Sequence, residues 1–233
     1  MGYSPLLPCS PASRAARRLP RAARLLPWAL AASICVHASA QSLLDLAPTG
    51  TPEQVREAIA AGLNVNEKAP NGMTPLLMAV RYNGDAQVIS LLVHAGANLE
   101  DCDALWHTPL MMALYHDAPL LIVRTLVNAG AALDGRDRAG MTPLMLAAIN
   151  SEYPEVVSAL LAAGADAQAR GRDGKTALMF AAQWSSHPAV VKALVAGGAR
   201  VDARDVNGRT ALDYVRENEG LKDAAIEAEL TSP

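Results

Sequence analysis

A seven-residue phrase returns along this chain at a constant interval, and that interval restricts the fold more than any other feature. It reads Thr74-Pro75-Leu76-Leu77-Met78-Ala79-Val80, then Thr108-Pro109-Leu110-Met111-Met112-Ala113-Leu114, then Thr142-Pro143-Leu144-Met145-Leu146-Ala147-Ala148. A fourth copy, Thr176-Ala177-Leu178-Met179-Phe180-Ala181-Ala182, keeps the threonine without the proline. A fifth, Thr210-Ala211-Leu212-Asp213-Tyr214-Val215, is worn. The threonines step by 34 residues, and Gly62, Gly96, Gly130, Gly164 and Gly198 keep the same step. Self-similarity at such a period implies units stacked in a row, each covering the apolar face of the next.

The unit reads as turn, short helix, loop, longer helix and extended return. Thr74 is a helix N-cap and Pro75 a first helical residue, where proline's fixed φ and missing N–H cost nothing. Leu76, Met78, Ala79 and Val80 supply a buried side. Asn83-Gly84-Asp85 interrupts, and Val88, Ile89, Leu91 and Leu92 carry a second apolar stripe up to Gly96. Asn71-Gly72, Asp173-Gly174 and Asn207-Gly208 read as tight, hairpin-like tips. Five units are expected. The segment 41–73, which lacks the Thr-Pro opening of its first helix, serves as the N-terminal cap. Residues 208–233 serve as the C-terminal cap, with a helix from Leu221 to Leu230 and fraying from Thr231 to Pro233.

The first forty residues differ from the rest. They contain five arginines and no acid, an apolar stretch from Leu25 to Val36, and the small-residue end Ala38-Ser39-Ala40. That order predicts a secretory signal cleaved after Ala40 and a periplasmic location; a mitochondrial transit peptide and a twin-arginine signal are the rivals weighed. The apolar run is too short for stable membrane insertion. The chain has 20 basic and 23 acidic side chains, so residues 41–233 carry 15 against 23, a net charge of −8. Nucleic acid and anionic membrane surfaces are therefore poor partners. Cys102 is the one cysteine after position 40, which excludes an internal disulfide there.

The Thr-Pro-Leu opening, the stretch Ala163-Gly164-Ala165-Asp166 and the Asn-Gly or Asp-Gly tips, recurring in register over about residues 42 to 230, resemble the ankyrin repeat. The resemblance implies an all-α solenoid of helix-turn-helix units whose tips and first helices line a concave face for a protein partner. It also departs in two ways. The period exceeds the family's usual 33 by one residue between the helices, as in a form common in bacterial members. The family's frequent histidine after Thr-Pro-Leu is replaced by Leu77, Met111, Met145, Met179 and Asp213. Some bacterial members are associated with oxidative-stress defence and others with neutralising toxins.

Superposing the repeats puts Tyr82, His116, Asn150 and Trp184 in one column and Arg81, Tyr115, Ile149 and Gln183 in the next. On the implied concave face these are candidate partner contacts, together with Trp106, His107 and Lys175. Trp106 stands where other tips carry Gly72, Gly140, Gly174 and Gly208, a broken local rule of the kind found at functional places. The competing reading packs Trp106 and Trp184 between neighbouring tips. Arg138, Arg172, Lys175 and Arg209 fall near the same face and suit an acidic partner.

No catalytic constellation is present: there is no phosphate loop, no His-Glu-x-x-His pair and no nucleophile elbow. The protein is expected to be no enzyme, to need no cofactor or metal, and to act as a monomer. Asp101, Asp103 and His107 could be imagined on a metal, but aspartates at turns ordinarily form the turns. An alternative function, a small-molecule or metal-binding stress protein, would use the repeated methionines and histidines, which otherwise read as core filling.

Overall fold

The computed structural model describes residues 42–221 and 224–231. The expected signal segment 1–40 and residues 232–233 lie outside the described residues. Twelve helices follow one another, without a strand, among the described residues. They form pairs: α1 (Leu43–Leu46) with α2 (Pro52–Ala60), α3 (Pro75–Met78, continued by a π turn over Ala79–Asn83) with α4 (Ala86–His94), and α5 (Pro109–Tyr115) with α6 (Leu120–Asn128). Then come α7 (Pro143–Asn150) with α8 (Pro154–Ala162), α9 (Ala177–Trp184) with α10 (Pro188–Ala196), and α11 (Ala211–Glu217) with α12 (Ala224–Thr231). First helices pack on first helices one unit away, and second on second.

The helix pairs number six, not the five expected. The opening pair falls in the segment read as the N-terminal cap, and α1 starts after Ser42 without a side-chain cap, so it adds no copy to the five threonine phrases. The C-terminal expectation is also corrected. Glu219–Leu221 is a 3-10 turn, so Leu221 is not in an α-helix, and the last described helix, Ala224–Thr231, includes Thr231. The cause is Asn218, whose Nδ2 donates to Ala182 O at 3.1 Å and Ser185 O at 2.9 Å while its Oδ1 accepts from Gly220 N at 3.0 Å. The chain is pinned there before it can turn helical. Asn83 anchors its own unit in a similar manner, donating to Ala47 O and Gly50 O at 3.0 Å each.

The capping logic holds at atomic level. The side chains of Thr74, Thr108, Thr142 and Thr176 accept from the backbone N–H three residues on, at 3.3 to 3.4 Å. Behind those caps Leu110, Met111, Leu144, Met145, Leu178 and Met179 are fully buried. Second helices contribute Val88, Ile89 and Leu92 and their equivalents Ile122, Val123 and Leu126, Val156, Val157 and Leu160, and Val190, Val191 and Leu194. The core is thus one continuous strip between two helix layers.

Two polar columns stitch adjacent units together. Arg136 Nη1 donates to Gly140 O in its own tip at 2.9 Å and to Arg170 O in the next unit at 2.7 Å. Arg170 repeats this on Gly174 O and Arg204 O at 2.9 and 2.6 Å. Asn66 and Gln168 each donate to a glycine carbonyl of the following unit, Gly96 O and Gly198 O, at 2.9 and 2.8 Å. The arginine column is broken at its third-unit position, where Cys102 lies exposed and unbridged. Replacing Cys102 with arginine should extend the column onto Trp106 O and Arg136 O. The expected gain is about 1 kcal/mol, the net worth of a typical hydrogen bond, read as a higher urea midpoint at unchanged slope.

Candidate partner-binding face

Each tip closes the same way. The first residue's N–H donates to the fifth residue's carbonyl and the fourth residue's N–H donates back to the first, as in Asp103 N to His107 O at 3.2 Å and Trp106 N to Asp103 O at 3.0 Å. The fourth residue must then be left-handed. Gly140 has φ 83°, and Trp106, in the same position, has φ 66°. A side chain in that region is strained by about 1–2 kcal/mol. Tip-to-tip bonds follow, with Arg138 N donating to Leu105 O at 2.9 Å and Val206 N to Asp173 O at 3.2 Å.

Aspartate at the first tip position fixes the loop from inside. Asp103 Oδ1 accepts from Leu105 N and His107 N at 2.8 and 2.9 Å, and Asp137 Oδ1 accepts from Ala139 N and Met141 N at 2.8 Å each. Their other oxygens flank one imidazole: His107 Nδ1 is 3.6 Å from Asp103 Oδ2, and Nε2 is 3.6 Å from Asp137 Oδ2. His107 is only 5% exposed. This corrects the expectation that it meets a partner, since its ring atoms are spent joining two tips. It acts from beneath, stacking on Tyr115 with ring centroids 5.1 Å apart.

Four aromatic side chains expected on the face are open to solvent. Tyr82, Tyr115, Trp106 and Trp184 are each more than half exposed, with Trp184 at 62% and Trp106 at 55%. The alternative in which the two tryptophans pack between tips is thereby excluded. Tyr115 meets His116 edge to face at 5.3 Å, and Arg81 sits 5.1 Å over the Tyr82 ring. Burial, and then the Arg81 charge, hold His116 below the usual imidazole range. Asn150 is half-buried in the same column.

Other expected contacts are internal. The Lys175 side chain is 15% exposed, its Nζ donating to Gln183 Oε1 at 2.8 Å and standing 3.2 Å from Asp173. It also lies over the Phe180 and Tyr214 rings. Lys175 and Gln183 are therefore taken out of the free contact surface, each by the other. Arg209 is held by Glu217 at 2.6 Å.

The imagined metal ligands do not converge, because Asp101 turns to Lys68 at 2.7 Å and Asp103 serves its own tip. Among the described residues no group of three or more histidine, cysteine or acidic side chains is placed to hold a metal. Met111, Met112, Met145 and Met179 are core side chains, which removes them from any ligand site. No helix of the described residues is long and apolar enough to cross a membrane.

Comparison with known proteins agrees with this geometry. The sequence matches the family model for ankyrin repeats (3 copies) over residues 43–137, 82–171 and 144–225. No curated protein matches the chain. Repeats of this family generally mediate protein–protein interaction and are typically non-catalytic. With capped helix pairs at a 34-residue step and family matches from residue 43 to 225, the chain belongs to the ankyrin-repeat family.

Proposed function

We propose that this protein is an exported, non-catalytic binding module that holds one partner protein on the face carrying Trp106, Tyr115 and Trp184. The observation that carries this reading is Trp106. A ring held at φ 66° costs stability, yet it is 55% exposed and returns little burial in exchange. Aromatic side chains exposed on a rigid scaffold are what interface energetics favour, since they offer large area at small entropic cost. A standard partner requires roughly 800 Å² on each side, and a row of six helix pairs is the kind of scaffold that offers it. Export is supported by the basic, then apolar, then small-residue order of residues 1–40, and it puts the partner in the periplasm.

The test separates stability from binding. Trp106→Gly should raise the unfolding free energy by about 1 kcal/mol through relief of the left-handed strain. The same change, and Trp184→Ala, should each weaken partner capture by about thirtyfold, the equivalent of 2 kcal/mol for a lost aromatic anchor. A photo-crosslinker at Tyr115 should give a discrete adduct in cells, and one at Thr125 on a second helix should not. Adducts from Thr125 alone, or full capture by both tryptophan variants, would refute the assignment of the face.

A further inference from the structure

The charge on this face is opposite to that of the protein. Residues 41–233 carry 15 bases against 23 acids, so each base has acids to spare. Most bases use them or find carbonyls. Arg56 meets Glu53, Lys68 meets Asp101, Lys175 meets Asp173, Arg200 meets Asp202 and Arg209 meets Glu217. Arg136, Arg170 and Arg204 are spent on the tips. Arg81, Arg138 and Arg172 are exposed and form no ion pair among the described residues.

A chain of neighbouring residues links these three to Tyr82, Tyr115 and Trp106. Arg81 caps Tyr82 and its charge reaches His116, which meets Tyr115, which stacks on His107. His107 follows Trp106 in the tip and is flanked by Asp137, next to Arg138, whose N–H bonds Leu105 O. The Arg172 side chain then lies across Gly140, where an added Cβ would come within 2.7 Å of its Cγ. The carboxylates of these tips turn inward: Asp103 and Asp137 each have one oxygen 3.6 Å from the buried His107 ring, and Asp173 lies 3.2 Å from Lys175 Nζ. Arg124 and Lys192 on separate second helices, and Arg216 on α11, are also without ion pairs among the described residues.

A partner that covers Trp106 and Tyr115 also strips water from these guanidiniums. An unpaired cation in an interface is costly, whereas a guanidinium bound two-pronged by carboxylate is favourable and specific. We propose that the partner presents an acidic protein segment, its carboxylates on Arg81, Arg138 and Arg172 and an apolar side chain between them on Trp106 and Tyr115. The proposal rests on the reading that this face binds a protein, and adds the chemistry of what it binds. Long-range repulsion from a net charge of −8 does not forbid it, because at physiological salt the field beyond about 8 Å is screened.

The experiment selects a displayed library of random peptides on the full chain, beside a variant combining Arg81→Glu, Arg138→Glu and Arg172→Glu. A control variant combines Arg124→Glu and Lys192→Glu. Enriched peptides should be rich in aspartate and glutamate around an apolar residue. A synthetic copy of one should bind about tenfold or more weaker to the triple variant, weaken with added salt, and bind the control variant as it binds the unaltered chain. Neutral or basic enriched peptides overturn the proposal, as do binding unchanged by the triple substitution and equal binding of a single-stranded DNA. Recovery of no peptides also overturns it. In each of those cases a crosslink from Tyr115 leaves the binding-face reading standing, and its absence removes that reading too.

Discussion

Leu144→Ala should lower the unfolding free energy by about 2–5 kcal/mol, the largest loss expected from a single apolar truncation in this chain. Leu144 is 1% exposed on α7, and α7 packs against both α5 and α9. A cavity there is lined from three units, and none can close it without moving against its own neighbour. In a stack whose stability is a sum of unit and interface terms, damage at the centre weakens two interfaces together. Leu43 on α1, equally buried but in the first unit of the described residues, should lose less on truncation. Chemical denaturation of the two variants side by side checks the ordering. A Leu43→Ala loss that exceeds the Leu144→Ala loss would show that the stack does not share its load from the middle.

The fold was legible because the local and the long-range signals coincide in every repeat. A threonine cap, a proline at the first helical turn and a glycine at the tip each fix a backbone state by short-range chemistry. Their common interval then fixes which surfaces meet. The count of units was less legible, since α1 is held by packing and by Leu44 N donating to Glu67 Oε1 at 3.0 Å, with no cap to mark it. The end of the chain failed for a related reason. Leu221 looks helical in its own sequence, yet the side-chain amide of Asn218 binds carbonyls of the preceding unit.

The exposure of the aromatic side chains was readable in the sequence, and the surroundings of two polar ones were misread. Exposed Tyr82, Tyr115, Trp106 and Trp184 followed from superposed columns and from one aromatic in a glycine position. His107 and Lys175 were misplaced because their partners belong to other positions. His107 bridges Asp103 and Asp137 across two tips, and Lys175 reaches Gln183 eight residues on. The arginines at 136, 170 and 204 show the same step as the threonines, so their periodicity was there to be seen. Their role needed the geometry of carbonyls in the neighbouring unit.

Asp205→Ala should cost about 3 kcal/mol, because it takes the acceptor from several donors at once. Asp205 is buried, accepting from Tyr214 Oη at 2.5 Å and from Asn207 N and Arg209 N at 2.9 Å each. Burial raises its carboxyl pKa, but those hydrogen bonds and the Lys175 charge outweigh it and hold the group below the usual carboxylate range. A depressed folded pKa contributes stability that is present above the ordinary carboxylate pKa and lost as pH falls through the folded value. Burial, then the bond to Asp205, pushes the Tyr214 phenol up to about 12 from 10.0. Its contribution is therefore complete below pH 10 and lost as pH rises through about 12. Melting temperature against pH should show both limbs in the unaltered chain. Asp205→Ala should flatten the acid limb, and Tyr214→Phe the alkaline one. An acid limb that persists unchanged without the Asp205 carboxylate would show that the last tip is not closed by this pair, and that the C-terminal unit is held by Asn218 and the buried face of α12 instead.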